Sequence, residues 1–148
     1  MVARDAMTIS PATMTADTSV AYAAELMRDW DTGIIPVIAD GVSRRLVGVI
    51  TDRDIVVRCL AARHIDTCAV VCHMTTQSLV TVSGDTPLET CIERMEEAQV
   101  RRLPVVEDDG RLIGMVSLAD IARKLWATEP KSVAALIAGI SQPKAVHA

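Results

Sequence analysis

The chain has 148 residues, half of them hydrophobic and 23% charged, a globular composition that excludes a natively disordered chain. A net charge of -4 and a pI near 5.3 argue against nucleic acid as the direct ligand, because binders of the phosphate backbone are as a rule basic. No apolar run approaches the roughly 18 residues of a membrane span, and Met1–Asp5 has no apolar signal core. The expected compartment is therefore the cytoplasm, with Cys59, Cys68, Cys72 and Cys91 as thiols.

In chain order, a short strand is expected around Thr13–Thr15. A helix follows, capped by Asp17 and Thr18, with Val20, Ala23, Ala24 and Met27 at the spacing of one apolar face. Two apolar strands, Ile34–Ala39 and Leu46–Ile50, flank Asp40-Gly41 and read as a hairpin. A second helix is expected over about Asp52–Ala62. The same order then recurs. A strand over Leu79–Val82 leads to a helix capped by Asp85 and Thr86, with Pro87 in its first turn and Leu88, Cys91, Ile92 and Met95 on one face. Strands Leu103–Glu107 and Leu112–Val116 flank Asp108-Asp109-Gly110, and a helix over Leu118–Trp126 closes the unit. Val133, Leu136, Ile137 and Ile140 predict a short docking helix before Pro143, followed by a tail over Lys144–Ala148.

The recurrence is an internal repeat. Asp17-Thr18 returns as Asp85-Thr86, and Ile35-Pro36-Val37 as Leu103-Pro104-Val105, both at an offset of 68. Gly48-Val49-Ile50-Thr51 returns as Gly114-Met115-Val116-Ser117, and Asp54-Ile55 as Asp120-Ile121, at an offset of 66. The two-residue change falls in the hairpin turn, where length is cheaply absorbed. The fold class is therefore α+β: two β-α-β-β-α repeats, each a small three-stranded sheet with two helices, plus a C-terminal helix. The expected division is 1–66 for the first repeat with its leader, 67–128 for the second, and 129–148 for the C-terminal helix and tail. Neither repeat buries much surface alone, so the two are expected to pack as one module.

The strongest local pattern is glycine, two apolar residues, a hydroxyl, two variable residues and aspartate: Gly48 to Thr51 and Asp54, Gly114 to Ser117 and Asp120. Thr51 and Ser117 stand where a helix N-cap belongs, with a carboxylate three residues later. One reading is a capping box in each copy. The other is a ligand site, since a strand-to-helix junction presents backbone N–H groups to phosphate, and an acidic side chain beside it accepts from ribose hydroxyls.

These motifs, with Thr51-Asp52-Arg53-Asp54-Ile55, Met7-Thr8 and Met74-Thr75 before each first strand, and the repeated Pro-Val, resemble tandem CBS domains over about residues 3–127. Ile140-Ser141-Gln142-Pro143 is similar to the stand-alone two-repeat proteins of the hypoxic-response type. The resemblance implies a pseudo-two-fold module with two clefts between repeats that take AMP, ADP, ATP, S-adenosylmethionine or a similar molecule. It assigns ribose to Asp54 and Asp120 and the hydroxyl beside phosphate to Thr51 and Ser117. It places Thr13, Pro36, Leu79 and Pro104 along the base pocket. It also implies a homodimer, a flat disc of four repeats, acting on an effector protein. The two copies differ: Arg53 is available to a phosphate in the first, where the second has Ala119. There Arg101 offers a cation from another strand, with a surface or dimer salt bridge as its other reading.

His64, Cys68, Cys72 and His73 lie close in sequence. Two thiolates and histidine are zinc donors, but the spacing matches no common zinc motif, and on a helix His73 points about 100° from Cys72. The expectation is structural thiols and no metal, with Cys91 in the core. No nucleophile–base pair, phosphate loop or hydrolase motif is present, so no enzyme and no required cofactor are expected. The functional expectation is a non-catalytic sensor of an adenosine-containing ligand. A ligand-free dimeric interaction protein of a stress response is the alternative, and a thiol or zinc sensor is the third.

Overall fold

The computed structural model describes residues 1–64 and 68–126, together with Lys131, Ala134, Ala138 and Gly139. The expected apolar stripe Val133, Leu136, Ile137 and Ile140 lies outside the described residues. Among the described residues no helix is long and apolar enough to cross a membrane.

The architecture is α+β. Helix α1 (Ala3–Ala6) and strand β1 (Thr8–Ile9) form a leader. The first repeat follows as β2 (Met14–Thr15), α2 (Val20–Asp29), β3 (Ile34–Ile38), β4 (Leu46–Thr51) and α3 (Asp52–Asp54). The second is β5 (Val82–Ser83), α4 (Leu88–Ala98), β6 (Arg102–Val106), β7 (Leu112–Ser117) and α5 (Leu118–Trp126). The β-α-β-β-α order thus appears twice. The first sheet has the expected three strands, in the order β2-β3-β4, whereas the second has four, β1-β7-β6-β5. The leader supplies the extra strand.

Packing in space divides the chain differently from the repeat in sequence. One compact unit takes Ser10–Leu79 and Val106–Ile113; the other takes Met1–Ile9, Val80–Val105 and Gly114–Ala148. In the former, the turn after β6 is held by backbone bonds from Leu46 N–H to the Gly110 carbonyl (3.0 Å) and from Leu112 N–H to the Arg44 carbonyl (2.9 Å). Its core is Met14, Ala23, Met27, Ile35, Val37, Ile50 and Val70. In the latter unit Leu88, Cys91, Met95, Leu103, Val105, Val116, Ile121 and Leu125 are buried.

The apolar faces are narrower than their spacing suggests. Val20, Ala23 and Met27 are buried but Ala24 is exposed; Leu88, Cys91 and Met95 are buried but Ile92 only partly so. The caps also move. Ser19, not Asp17 or Thr18, caps α2, its hydroxyl accepting from Tyr22 N–H at 3.1 Å. Asp17 instead accepts from the Thr15 hydroxyl, and Thr18 N–H donates to the Thr15 carbonyl at 3.1 Å. In the second copy Pro87 occupies the N-cap position without a side-chain cap, and Thr86 N–H donates to the Ser83 carbonyl at 3.2 Å. The threonine of each pair thus closes the turn before its helix.

Both glycines of the repeated motif sit under a passing strand. Thr75 pairs with Val49 through Thr75 N–H to the Val49 carbonyl (2.7 Å) and Val49 N–H to the Thr75 carbonyl (3.1 Å). A Cβ at Gly48 would lie 2.9 Å from the Thr75 carbonyl oxygen and 3.2 Å from Met74 Sδ. In the other unit β1 pairs antiparallel with β7, Ile9 opposite Gly114. A Cβ there would lie 2.9 Å from the Thr8 carbonyl oxygen and 2.5 Å from Met7 Sδ. Each Met-Thr segment thus runs over one motif glycine, which explains why neither position carries a side chain.

Candidate functional site

The two strand-to-helix junctions are built alike. Asp52 N–H donates to the Gly33 carbonyl at 3.0 Å, and Leu118 N–H donates to the Arg101 carbonyl at 2.9 Å. These are the positions that the two sequence offsets equate. At the first junction Thr51 N–H donates to Asp54 Oδ2 (3.0 Å) and Asp54 N–H to Thr51 Oγ1 (3.1 Å). At the second, Ser117 N–H donates to Asp120 Oδ2 (3.2 Å) and Asp120 N–H to Ser117 Oγ (3.1 Å). Both are complete capping boxes.

The backbone cradle expected for phosphate is largely closed. At the first junction the amides of Thr51, Asp52, Arg53 and Asp54 all have partners, Arg53 N–H donating to Asp52 Oδ1 at 2.7 Å. Any hydrogen bond that this junction makes outward therefore comes from side chains. An ionised carboxylate offers about four lone-pair positions, so each aspartate keeps acceptor capacity beyond its cap.

The copies differ in how that capacity is used. Asp54 is 8% exposed, and its Oδ1 faces Arg58 Nε at 3.6 Å. Asp120 is half-buried and bonded to the exposed Arg123. The Ser117 hydroxyl donates its proton to Asp120, whereas no described residue accepts from the Thr51 hydroxyl. Arg53 and Arg101 are both exposed, and no described residue pairs with either guanidinium. Thr13 and Leu79 are half-buried; Pro36 and Pro104 are buried in β3 and β6. Pro36 is tolerated inside a central strand because β2 pairs with β3 only at Val37 and Ile38.

The helix after Thr51 is not the continuous α-helix expected over Asp52–Ala62. After one α-turn it widens to a π-helix over Ile55–Leu60, with Ala61 N–H donating to the Val56 carbonyl and His64 N–H to the Cys59 carbonyl, each at 3.0 Å. Three β-branched residues in succession, Ile55, Val56 and Val57, crowd a tight α-turn. The wider turn leaves Val56, Val57 and Leu60 exposed at 54%, 51% and 51%.

The cysteine and histidine residues sort differently from their spacing. His64, Cys68 and His73 come together, each offering a ligand atom within 4.8 Å of the others. Cys72, exposed at the end of a 3-10 turn over Val70–Cys72, lies outside that set. The segment is not the α-helix considered for it: Val70–Cys72 is a short 3-10 turn, and His73 groups with His64 and Cys68, apart from Cys72. Arg58 Nη1 donates to the His73 carbonyl at 3.4 Å. Burial pushes the Cys68 thiol above its usual range, with the Cys72 thiol adding to the shift. Burial also pushes the Cys91 thiol up to about 11, so Cys91 stays protonated at neutral pH and serves as core.

A family model for the CBS domain matches residues 3–60 and again residues 70–127. The chain is 37% identical over 123 residues to Hypoxic response protein 1 of Mycobacterium tuberculosis, across 83% of this chain and 84% of that protein. It is 36% identical over 126 residues to the CBS domain-containing protein YhcV of Bacillus subtilis, across 85% and 86% respectively. Solved structures of CBS domain pairs share the fold. The CBS domain pair of protein MJ0100, in complex with 5'-methylthioadenosine and S-adenosyl-L-methionine, matches with a TM-score of 0.76 and 26% identity, across 87% of this chain and 98% of that one. CBSX2 in complex with AMP gives 0.73 and 29%, across 85% and 96%. Hypoxic Response Protein I with two coordinated zinc ions gives 0.73 and 36%, across 84% and 99%.

Proposed function

Because the chain belongs to the CBS domain family and carries two copies of the domain, we propose that it is a non-catalytic regulatory module that binds an adenosine-containing ligand at its strand-to-helix junctions. The observation that carries this reading is the pair of held carboxylates, Asp54 and Asp120, in chemically equivalent frames. Support comes from two relatives of the same fold with adenosine compounds, S-adenosyl-L-methionine with 5'-methylthioadenosine in one and AMP in the other.

In this reading Asp54 and Asp120 accept from ribose hydroxyls. Thr51 and Ser117, with Arg53 and Arg101, meet the phosphate or its equivalent, and Thr13, Pro36, Leu79 and Pro104 border the base. The first junction is the stronger site. Its carboxylate is buried, its Thr51 hydroxyl proton is unspent among the described residues, and Arg53 is exposed beside it. Binding there alters a self-satisfied cap, which gives the ligand a route to the helix that follows. The exposed Val56, Val57 and Leu60 on that helix suit a homodimer face, through which an effector protein is controlled. Sedimentation showing only monomer at micromolar concentration would remove the dimer from this proposal.

Calorimetric titration of the full chain with AMP, ADP, ATP and S-adenosylmethionine tests the ligand. Asp54→Asn keeps the shape and loses the charge. It is expected to weaken binding by about tenfold or more, since a hydrogen bond to a charged group contributes roughly 1.5–3 kcal/mol. Asp120→Asn is expected to weaken it less. Equal affinity in the parent and both variants would remove the aspartates from the site.

A further inference from the structure

His64 and Cys68 lie in the segment between the two family-matched stretches, which end at 60 and resume at 70. The family pattern therefore gives no reason for a donor cluster there. His73 is 6% exposed, and its Nε2 is a buried nitrogen with no hydrogen-bond partner among the described residues. Buried polar atoms are rarely left unpaired, so an orphan of this kind asks for a partner from outside the chain. The neighbours of His73 are donors for a metal. The His64 and His73 ring centroids are 6.2 Å apart, and the ligand atoms of His64, Cys68 and His73 all lie within 4.8 Å of one another.

We propose that His64, Cys68 and His73 form a binding site for a borderline-soft divalent cation of the zinc type. Two imidazoles and one thiolate are a donor set that such an ion selects over the oxygen ligands of magnesium or calcium. In a tetrahedral site with metal–nitrogen bonds of about 2.0–2.1 Å and a metal–sulfur bond of about 2.3 Å, the donors must draw closer than 4.8 Å. His64 is exposed and turns inward readily, while the backbone at His64 and at His73 is held. The Cys59 thiol donates to the His64 carbonyl at 2.9 Å, and His73 N–H donates to the Val70 carbonyl at 3.0 Å. His64 also gives the ion its entry from solvent. Three protein ligands leave a fourth position for water or for Cys72, four residues after Cys68.

The test uses the full chain stripped with a chelator, reduced with a phosphine, and titrated with cobalt(II) and then zinc(II) in the absence of nucleotide. One cobalt per chain is expected, with thiolate charge-transfer and tetrahedral d–d absorption that zinc displaces. His64→Ala and Cys68→Ser are each expected to weaken binding by about tenfold or more, and Cys68→Ser also to abolish the charge-transfer band. His64 is exposed, so the His64→Ala variant folds as the parent does. If Cys72→Ser weakens binding as well, Cys72 is the fourth ligand and the cluster stands; if it does not, water takes that place. No cobalt–thiolate band in the folded, reduced parent overturns the proposal. So does binding that survives both His64→Ala and Cys68→Ser. The readout is independent of nucleotide, so either reading can fail without the other.

Discussion

Gly48→Val and Gly114→Val are each expected to destabilise the protein by about 1–3 kcal/mol or more, the cost of overpacking a site that cannot yield. The contact that decides this is with backbone. Even the first added carbon would stand 2.9 Å from the Thr75 or Thr8 carbonyl oxygen, closer than real Cβ atoms come to another heavy atom. The methionine sulfurs nearby are flexible and can swing aside; the carbonyls belong to paired strands and cannot. Relief requires separating Thr75 from Val49, or β1 from β7, with loss of the backbone bonds between them. Urea denaturation of each variant, with the slope checked against the parent, measures the effect. A loss under about 0.5 kcal/mol, the range of a neutral surface change, would mean that the Met-Thr segments are not packed as described.

Ile35→Ala is expected to cost about 2–5 kcal/mol, the range for truncating a buried isoleucine where the surroundings collapse incompletely. Ile35 is fully buried and packs in the cluster of Met14, Ala23, Met27, Val37, Ile50 and Val70. That cluster joins β2, α2, β3, β4 and the 3-10 turn before His73, so a cavity there loosens every element that holds Thr51 and Asp54. Val42→Ala, at a residue 96% exposed, serves as the control and is expected to stay within about 0.5 kcal/mol. A similar small loss for Ile35→Ala would place the core elsewhere.

The repeat was legible because it is written twice. Equal offsets for Asp17-Thr18 and Pro36-Val37, then for Gly48–Thr51 and Asp54, leave little freedom in aligning the copies. The hydrogen bonds from Asp52 to Gly33 and from Leu118 to Arg101 respect that alignment. Helix α5 begins at Leu118 as expected because the Ser117–Asp120 box caps it. The leader was not legible. Four helical residues and a two-residue strand carry no periodicity, and β1 exists only because β7 offers it an edge.

Local competition explains the other differences. Asp17 is a good cap by type, but its carboxylate is taken by Thr15, and Ser19 stands one residue before the helix. The π-turn over Ile55–Leu60 has the length of a helix and cannot be told from one by counting apolar residues. The amides expected to cradle phosphate are satisfied by a carbonyl 19 residues earlier and by the motif's own side chains, which spacing alone does not reveal. The cluster of His64, Cys68 and His73 was visible as a list of donors; its geometry depends on a 3-10 turn that an α-helical reading excludes.

The central claim is that the two junctions bind an adenosine-containing ligand. Backbone amide shifts of the isotope-labelled full chain, followed during titration with AMP, ADP, ATP and S-adenosylmethionine, test it most directly. At least one of these ligands is expected to move the amides of Gly48–Asp54 saturably, with those of Gly114–Asp120 responding at the same or higher concentration. A folded chain whose amides at both junctions stay still for all four compounds up to millimolar concentration would contradict the claim.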